Sequence, residues 1–234
     1  NNEFAGVIDS GITLNTSLGY KSLQFYSTVG SYANAAFGYK SLSQNTTGQY
    51  NTAIGLSALR NNTTASNNTA LGTQALNNNT IGSSNIAIGR QALLANTTST
   101  DNIAIGFQSL TSNAFNNGNA NYGGYNVAVG NLTLTFNNPT TTTEGIFNTA
   151  IGDGALNRNT IGDRNTAIGA RSMVYNTTGR WNTAIGVDAL RDNTTGNGNV
   201  AAGFESLLFN GTGLGNVGIG SFTLRNSINQ SNNV

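Results

Sequence analysis

Apolar and polar positions in this chain return on one short period. The unit reads Asn-x-Ala-Ile-Gly-x-x-Ala-Leu. Twelve copies begin at Asn15, Asn34, Asn51, Asn68, Asn85, Asn102, Asn126, Asn148, Asn165, Asn182, Asn199 and Asn216, most of them 17 residues apart. Counting each unit from its Asn, position 3 is Ala in ten copies, with Ser17 and Gly218 the small exceptions. Position 4 is a larger apolar residue such as Ile54, Leu71 or Val129, with Ala202 the smallest. Position 5 is always Gly: Gly19, Gly38, Gly55, Gly72, Gly89, Gly106, Gly130, Gly152, Gly169, Gly186, Gly203 and Gly220. Position 8 is Ala, Ser or Thr, and position 9 is Leu except for Met173. A fixed short period predicts a stack of equivalent units, so the functional question becomes what surface the stack presents.

Alternation along a strand puts positions 3 and 5 on one face and positions 2 and 4 on the other. The first face is uniformly tiny and the second is β-branched or aliphatic, so both need cover. The small face suits the inside of a narrow coil, where backbones approach closely. The larger face then needs a second layer, which a further copy of the chain can supply, and this predicts a homo-oligomer. The competing arrangement places both sets inside one wider coil. Positions 6 and 7 vary freely (Tyr39-Lys40, Thr73-Gln74, Asp153-Gly154) and read as a solvent edge. A second motif, Asn-Thr-Thr-Gly, recurs at Asn45 to Gly48, Asn176 to Gly179 and Asn193 to Gly196 and carries turn chemistry. Each unit therefore reads as strand, turn, second short strand, turn.

Helix competes poorly, because a dozen interior Gly residues would cost about 1 kcal/mol each relative to Ala. The expected fold is all-β, a parallel β-solenoid or β-roll of about twelve mostly 17-residue coils. With a rise of ~4.8 Å per coil, twelve coils span on the order of 55 Å. Strands pair between successive coils, which removes the lateral edges. Equivalent Asn residues should stack in columns and bond along them.

The period breaks twice. Asn102 to Asn126 is 24 residues and Asn126 to Asn148 is 22. The extra residues fall near 114–125 and 138–147, and insertions in a solenoid emerge as loops on one face. Phe115, Tyr122, Tyr125, Phe136 and Phe147 make this stretch aromatic. Such loops suit recognition of a host surface glycan or protein; packing on the roll or on a neighbouring chain explains them as well. The chain thus divides into residues 1–14, an N-terminal cap or assembly segment, and 15–234, the repeat domain. A thirteenth unit begins at Asn233. An open solenoid end needs a cap, so end-to-end stacking or a longer parent chain is expected.

Composition narrows the classes. With 10 basic and 9 acidic residues among 234, the net charge is +1 and no basic stripe offers itself to nucleic acid. Asn is the commonest residue, Gly contributes 30 and Pro one, which suits a fold of tight turns. Regular apolar positions argue against disorder. No apolar run is long enough to span a membrane, and no signal peptide opens the chain. Cys and His are both absent, so the usual nucleophile, base and zinc constellations are missing and an enzyme is not expected. No cofactor or metal site is expected either. Asp188 and Glu205 share position 7 one coil apart, a carboxylate pair at a glycosidase-like spacing. Adjacent Arg171 makes a solvated charge ladder the simpler reading.

Asn51-Thr52-Ala53-Ile54-Gly55 and its copies resemble the head repeats of YadA-like trimeric autotransporter adhesins. The resemblance covers about Asn15 to Leu224. It implies a left-handed parallel β-roll with three chains side by side. The period of 17 is longer than in the typical adhesin head, and no heptad stalk or anchor barrel follows. Similar repeats occur in bacterial surface proteins and phage tail fibres. The expected function is an extracellular or cell-surface structural and adhesive fibre, a rigid filament or spacer. The alternative is a phage tail-fibre shaft positioning a receptor-binding tip. A weaker one is an ice-binding solenoid using stacked Thr46, Thr63, Thr80 and Thr97. Partners are expected to be further copies of the chain, as a closed trimer or an end-to-end filament.

Overall fold

The computed structural model describes residues 7–8, 14–25, 31–114 and 121–234. Among these the chain forms strands and turns and no helix. It divides into two units, Asn1–Gly123 and Gly124–Val234, each a parallel β-solenoid, with about eleven coils of about 17 residues in all.

The first unit holds β1 (Val7–Ile8), β2 (Thr16–Leu18), β3 (Ala35–Phe37), β4 (Thr52–Ile54), β5 (Thr69–Leu71), β6 (Ile86–Ile88), β7 (Ser99–Thr100), β8 (Ile103–Ile105) and β9 (Tyr122–Gly123). The second holds β10 (Val127–Val129), β11 (Thr149–Ile151), β12 (Thr166–Ile168), β13 (Thr183–Ile185), β14 (Val200–Ala202) and β15 (Val217–Ile219). Every repeat contributes its positions 2 to 4 as one three-residue strand. Pairing is parallel and in register, so Ala53 lies beside Ala70 and Ala167 beside Ala184. At the start, β1 pairs antiparallel with β2.

The second strand per coil expected from the sequence does not form. Positions 6 to 10 turn instead, because positions 7 and 9 are left-handed, as at Ser57 (φ 56°) and Leu59 (φ 48°). A strand cannot hold such residues. Among the described residues only β7 and β9 make a second sheet. Hydrogen bonding between coils continues through the turns. The Ser57 N–H donates to the Tyr39 carbonyl at 2.8 Å, and the Leu59 N–H to Ala75 at 3.0 Å in the other direction.

The interior is thin. It consists of the position-3 Ala column, the Ala or Ser at position 8, and the Leu column, with Leu42, Leu59, Leu156 and Leu190 fully enclosed. Position 4 points outward: Ile54, Leu71, Ile168 and Ile185 are all exposed. The small face is therefore the inner one, and the wider coil with both sets inside is excluded. The position-5 glycines answer to backbone geometry more than to face. Gly89 sits at φ +129°, and a Cβ there would lie 2.4 Å from the Gly106 carbonyl oxygen. Only Gly takes such a φ without strain.

Two buried Asn columns flank the core, at positions 1 and 12, and they meet on one carbonyl per coil. Asn68 Nδ2 donates to the Gly82 carbonyl at 3.0 Å, and Asn79 Nδ2 donates to the same oxygen at 2.8 Å. Asn79 also donates to Asn62 Oδ1 at 3.0 Å, while Asn68 Oδ1 accepts the Asn85 N–H at 2.9 Å. In the second unit the Gly179 carbonyl takes Asn165 and Asn176 in the same way. Both lone pairs of that carbonyl are filled, so the polar interior is satisfied without water. The Asn-rich composition is thereby a structural requirement.

Candidate functional site

The solenoid has no enclosed cleft among its described residues; its candidate sites are columns on the outer surface. Three kinds stand out. The first is the apolar stripe of position 4. In the first unit Leu18, Ile54 and Leu71 are exposed along it, and in the second Ile151, Ile168, Ile185 and Ile219, the last at 71%. Position 2 contributes Thr or an aliphatic beside them, such as Ile86. A parallel sheet whose outer face is aliphatic is one that ordinarily carries a covering layer.

The second is the column at positions 16 and 17 of the second unit. Tyr125 and Phe147 stack there with ring centroids 4.9 Å apart and planes within 6°. The Arg164 guanidinium lies over Phe147 at 5.5 Å. One coil on stands Trp181, the single Trp of the chain, 58% exposed. Beneath them Asp163 is fully buried and ion-paired with Arg164 and, at 2.8 Å, with Arg180 Nε. Position 17 is left-handed throughout (Tyr125 φ 51°, Trp181 φ 57°), which lifts each side chain off the roll at a corner.

The third is the column at positions 10 and 11 of the same unit. Arg158 lies over the Tyr175 ring at 5.0 Å, and both Arg191 and Arg225 lie over Phe209, at 5.5 and 5.1 Å. Arg191 donates twice to Asp192, from Nε at 2.7 Å and Nη2 at 2.9 Å. The hydrogen bond to Asp192 raises the Arg191 pKa further, so this cation is permanent.

The aromatic residues singled out from the sequence do not form one patch. Phe115 lies outside the described residues. Tyr122 is a β9 residue and is buried; that burial pushes its hydroxyl pKa up, against a hydrogen bond with Ser99. Tyr125 and Phe147 come together as described. Phe136 is exposed at position 11, a different corner of the coil. In the 138–147 insertion, Glu144 accepts the Thr140 hydroxyl at 2.8 Å and its N–H at 3.0 Å. These bonds hold the Glu144 carboxyl below the usual carboxylate range, against slight desolvation.

The carboxylate pair is accounted for. Asp188 accepts Arg171 at 2.5 Å and Glu205 accepts Arg225 at 2.6 Å, as a charge ladder requires. The Thr column is also committed: the Thr46, Thr63 and Thr80 hydroxyls each donate to the position-13 carbonyl of the following coil, at 2.9 to 3.0 Å. Among the described residues no group of three His, Cys, Asp or Glu side chains could hold a metal, and no helix is long and apolar enough to cross a membrane. Sequence reasoning overlooked Trp181, Arg164, Arg158 and Tyr175. Their signal was available: from coil Asn148 onward, positions 10, 11, 16 and 17 replace Asn, Ser and Gln with charged and aromatic residues.

Comparison with protein-family models, with curated proteins and with solved structures returns no match. The likeness to YadA-type heads therefore rests on the repeat residues and on the shared solenoid architecture.

Proposed function

We propose that this chain is a structural and adhesive segment of an extracellular fibre, a stiff β-roll that packs against further copies of itself and displays recognition residues along its corners. The observation that carries this reading is the aliphatic stripe at position 4. Its side chains recur at one per coil and face outward. An identical stripe on a second copy has the same spacing, so residues can interdigitate along its length. Coil-to-coil hydrogen bonds on every side of the coil supply the stiffness a spacer needs. The YadA-like repeat adds three as the preferred number of chains and the cell surface as the place.

Electron microscopy of the purified chain, with mass measurement on the same sample, tests this. Rods with the mass of three chains, or continuous filaments with an axial repeat on the order of 55 Å, are expected from ~4.8 Å per coil. A monodisperse single chain at micromolar concentration contradicts it.

A further inference from the structure

The groove between the position-11 and position-13 columns of the second unit is lined by Arg158, Tyr175, Thr177, Arg191, Asp192 and Thr194, with a volume of about 510 Å³. We infer that it is a binding site for an acidic saccharide, whose carboxylate or sulfate is taken by Arg158. This rests on the surface-recognition part of the proposed function and gives that recognition a place and a ligand class.

Four features point the same way. Arg158 is exposed, and among the described residues no carboxylate pairs with it. The guanidinium is thus a free fork of donors suited to a planar or tetrahedral oxyanion. Secondly, it is already ordered: it rests on the Tyr175 ring at 5.0 Å, as Arg191 rests on Phe209. Side chains fixed beforehand lose less freedom on binding.

Thirdly, the groove offers acceptors beside its donors. The Thr177 and Thr194 hydroxyls donate to the Thr194 and Gly211 carbonyls at 3.0 and 3.2 Å, which leaves their oxygen lone pairs to accept. Asp192 holds Arg191 and is itself only half-buried. A simple anion cannot use these acceptors, and an acidic peptide brings few donors to them. A polyhydroxylated anion satisfies both sets. Fourthly, the chemistry is local. The same position 11 in the first unit carries Gln44, Asn61, Asn78 and Ala95, with Asn61 simply donating to Asn78 at 3.2 Å. The net charge of the groove is +1, from Arg158 and Arg191 against Asp192.

Titration calorimetry on the full chain tests the assignment. The probes are a sulfated uronate-containing hexasaccharide, its desulfated form, a neutral hexasaccharide, a hexaglutamate peptide and inorganic sulfate. At least one acidic hexasaccharide is expected to bind at least tenfold tighter than the neutral one, the peptide and sulfate. Comparing the sulfated and desulfated forms identifies which oxyanion Arg158 takes. Arg158→Gln is expected to weaken that binding at least tenfold with an unchanged melting temperature. Arg90→Gln, on the first unit, is expected to leave it alone. No saccharide binding, equal binding of the neutral form, the peptide or sulfate, or an Arg158→Gln variant that binds as the parent does would each overturn the site. Micrographs of Arg158→Gln separate the two ideas: assembly unchanged with binding lost leaves the fibre reading standing, and it stands equally if no saccharide binds.

Discussion

Leu59 is a core residue in a left-handed backbone, at φ 48°, and so is its counterpart Met173 at φ 50°. Position 9 therefore asks for a large apolar side chain without a branch at Cβ, since β-branched residues are strained in that region. Leu59→Ile keeps the volume and is expected to destabilise by about 2 kcal/mol, whereas Leu59→Met is expected to cost less than about 1 kcal/mol. Denaturant midpoints of the two variants check this; equal values contradict it. Glu144 makes a different residue-scale case. Its carboxylate form is favoured by the Thr140 hydroxyl and N–H, so its folded pKa lies below its unfolded one. The stabilisation is present above the unfolded value and is lost as pH falls through the folded one. Thr140→Val removes the hydroxyl alone, and the Glu144 titration midpoint followed by NMR is expected to move up toward the ordinary carboxylate range.

At the scale of the element, the coil closes only where backbone meets backbone. Gly89→Val places a branched Cβ at φ +129°, 2.4 Å from the Gly106 oxygen, and neither can move without breaking the next coil. A loss of about 3 kcal/mol or more is expected, seen as a fall in melting temperature by calorimetry. The existence, register and inner face of the strands were legible in the sequence, because a small position 3 against a large position 4 leaves one narrow solution. The absent second strand was not. Its residues at position 7, such as Lys40, Gln74 and Asp188, share no side-chain chemistry, since what unites them is a φ near +55°. What does show in the sequence is an exclusion: Val, Ile and Thr never occur at positions 7, 9 or 17. Of the candidate site, the Tyr125–Phe147 pair fell within the aromatic stretch because an irregular period exposed it. Arg158 and Trp181 escaped notice because they sit on coils of perfect period, where only the departure from the polar consensus marks them.

For the whole molecule, the stripe at position 4 is the surface on which self-association turns. Ile168→Lys puts a charge in its middle without touching the interior, since Ile168 is exposed. Mass measurement is expected to show dissociation or a large rise in the concentration needed to assemble, with the strand content by circular dichroism unchanged. An unaltered mass would move the contact to another face.

The in-register bonds have one more consequence. Each ties a residue to the one 17 further on, as the Asn51 side chain is tied to Asn68 and the Asn68 side chain to Asn85. Excising residues 68–84 joins Asn51's coil directly to that of Asn85, with every column resuming its own residue type. Excising one residue fewer would rotate all later columns out of phase. Such a chain behaves as a ruler graduated in whole coils, which recombination between its own repeats can lengthen or shorten while each surviving graduation keeps its neighbours.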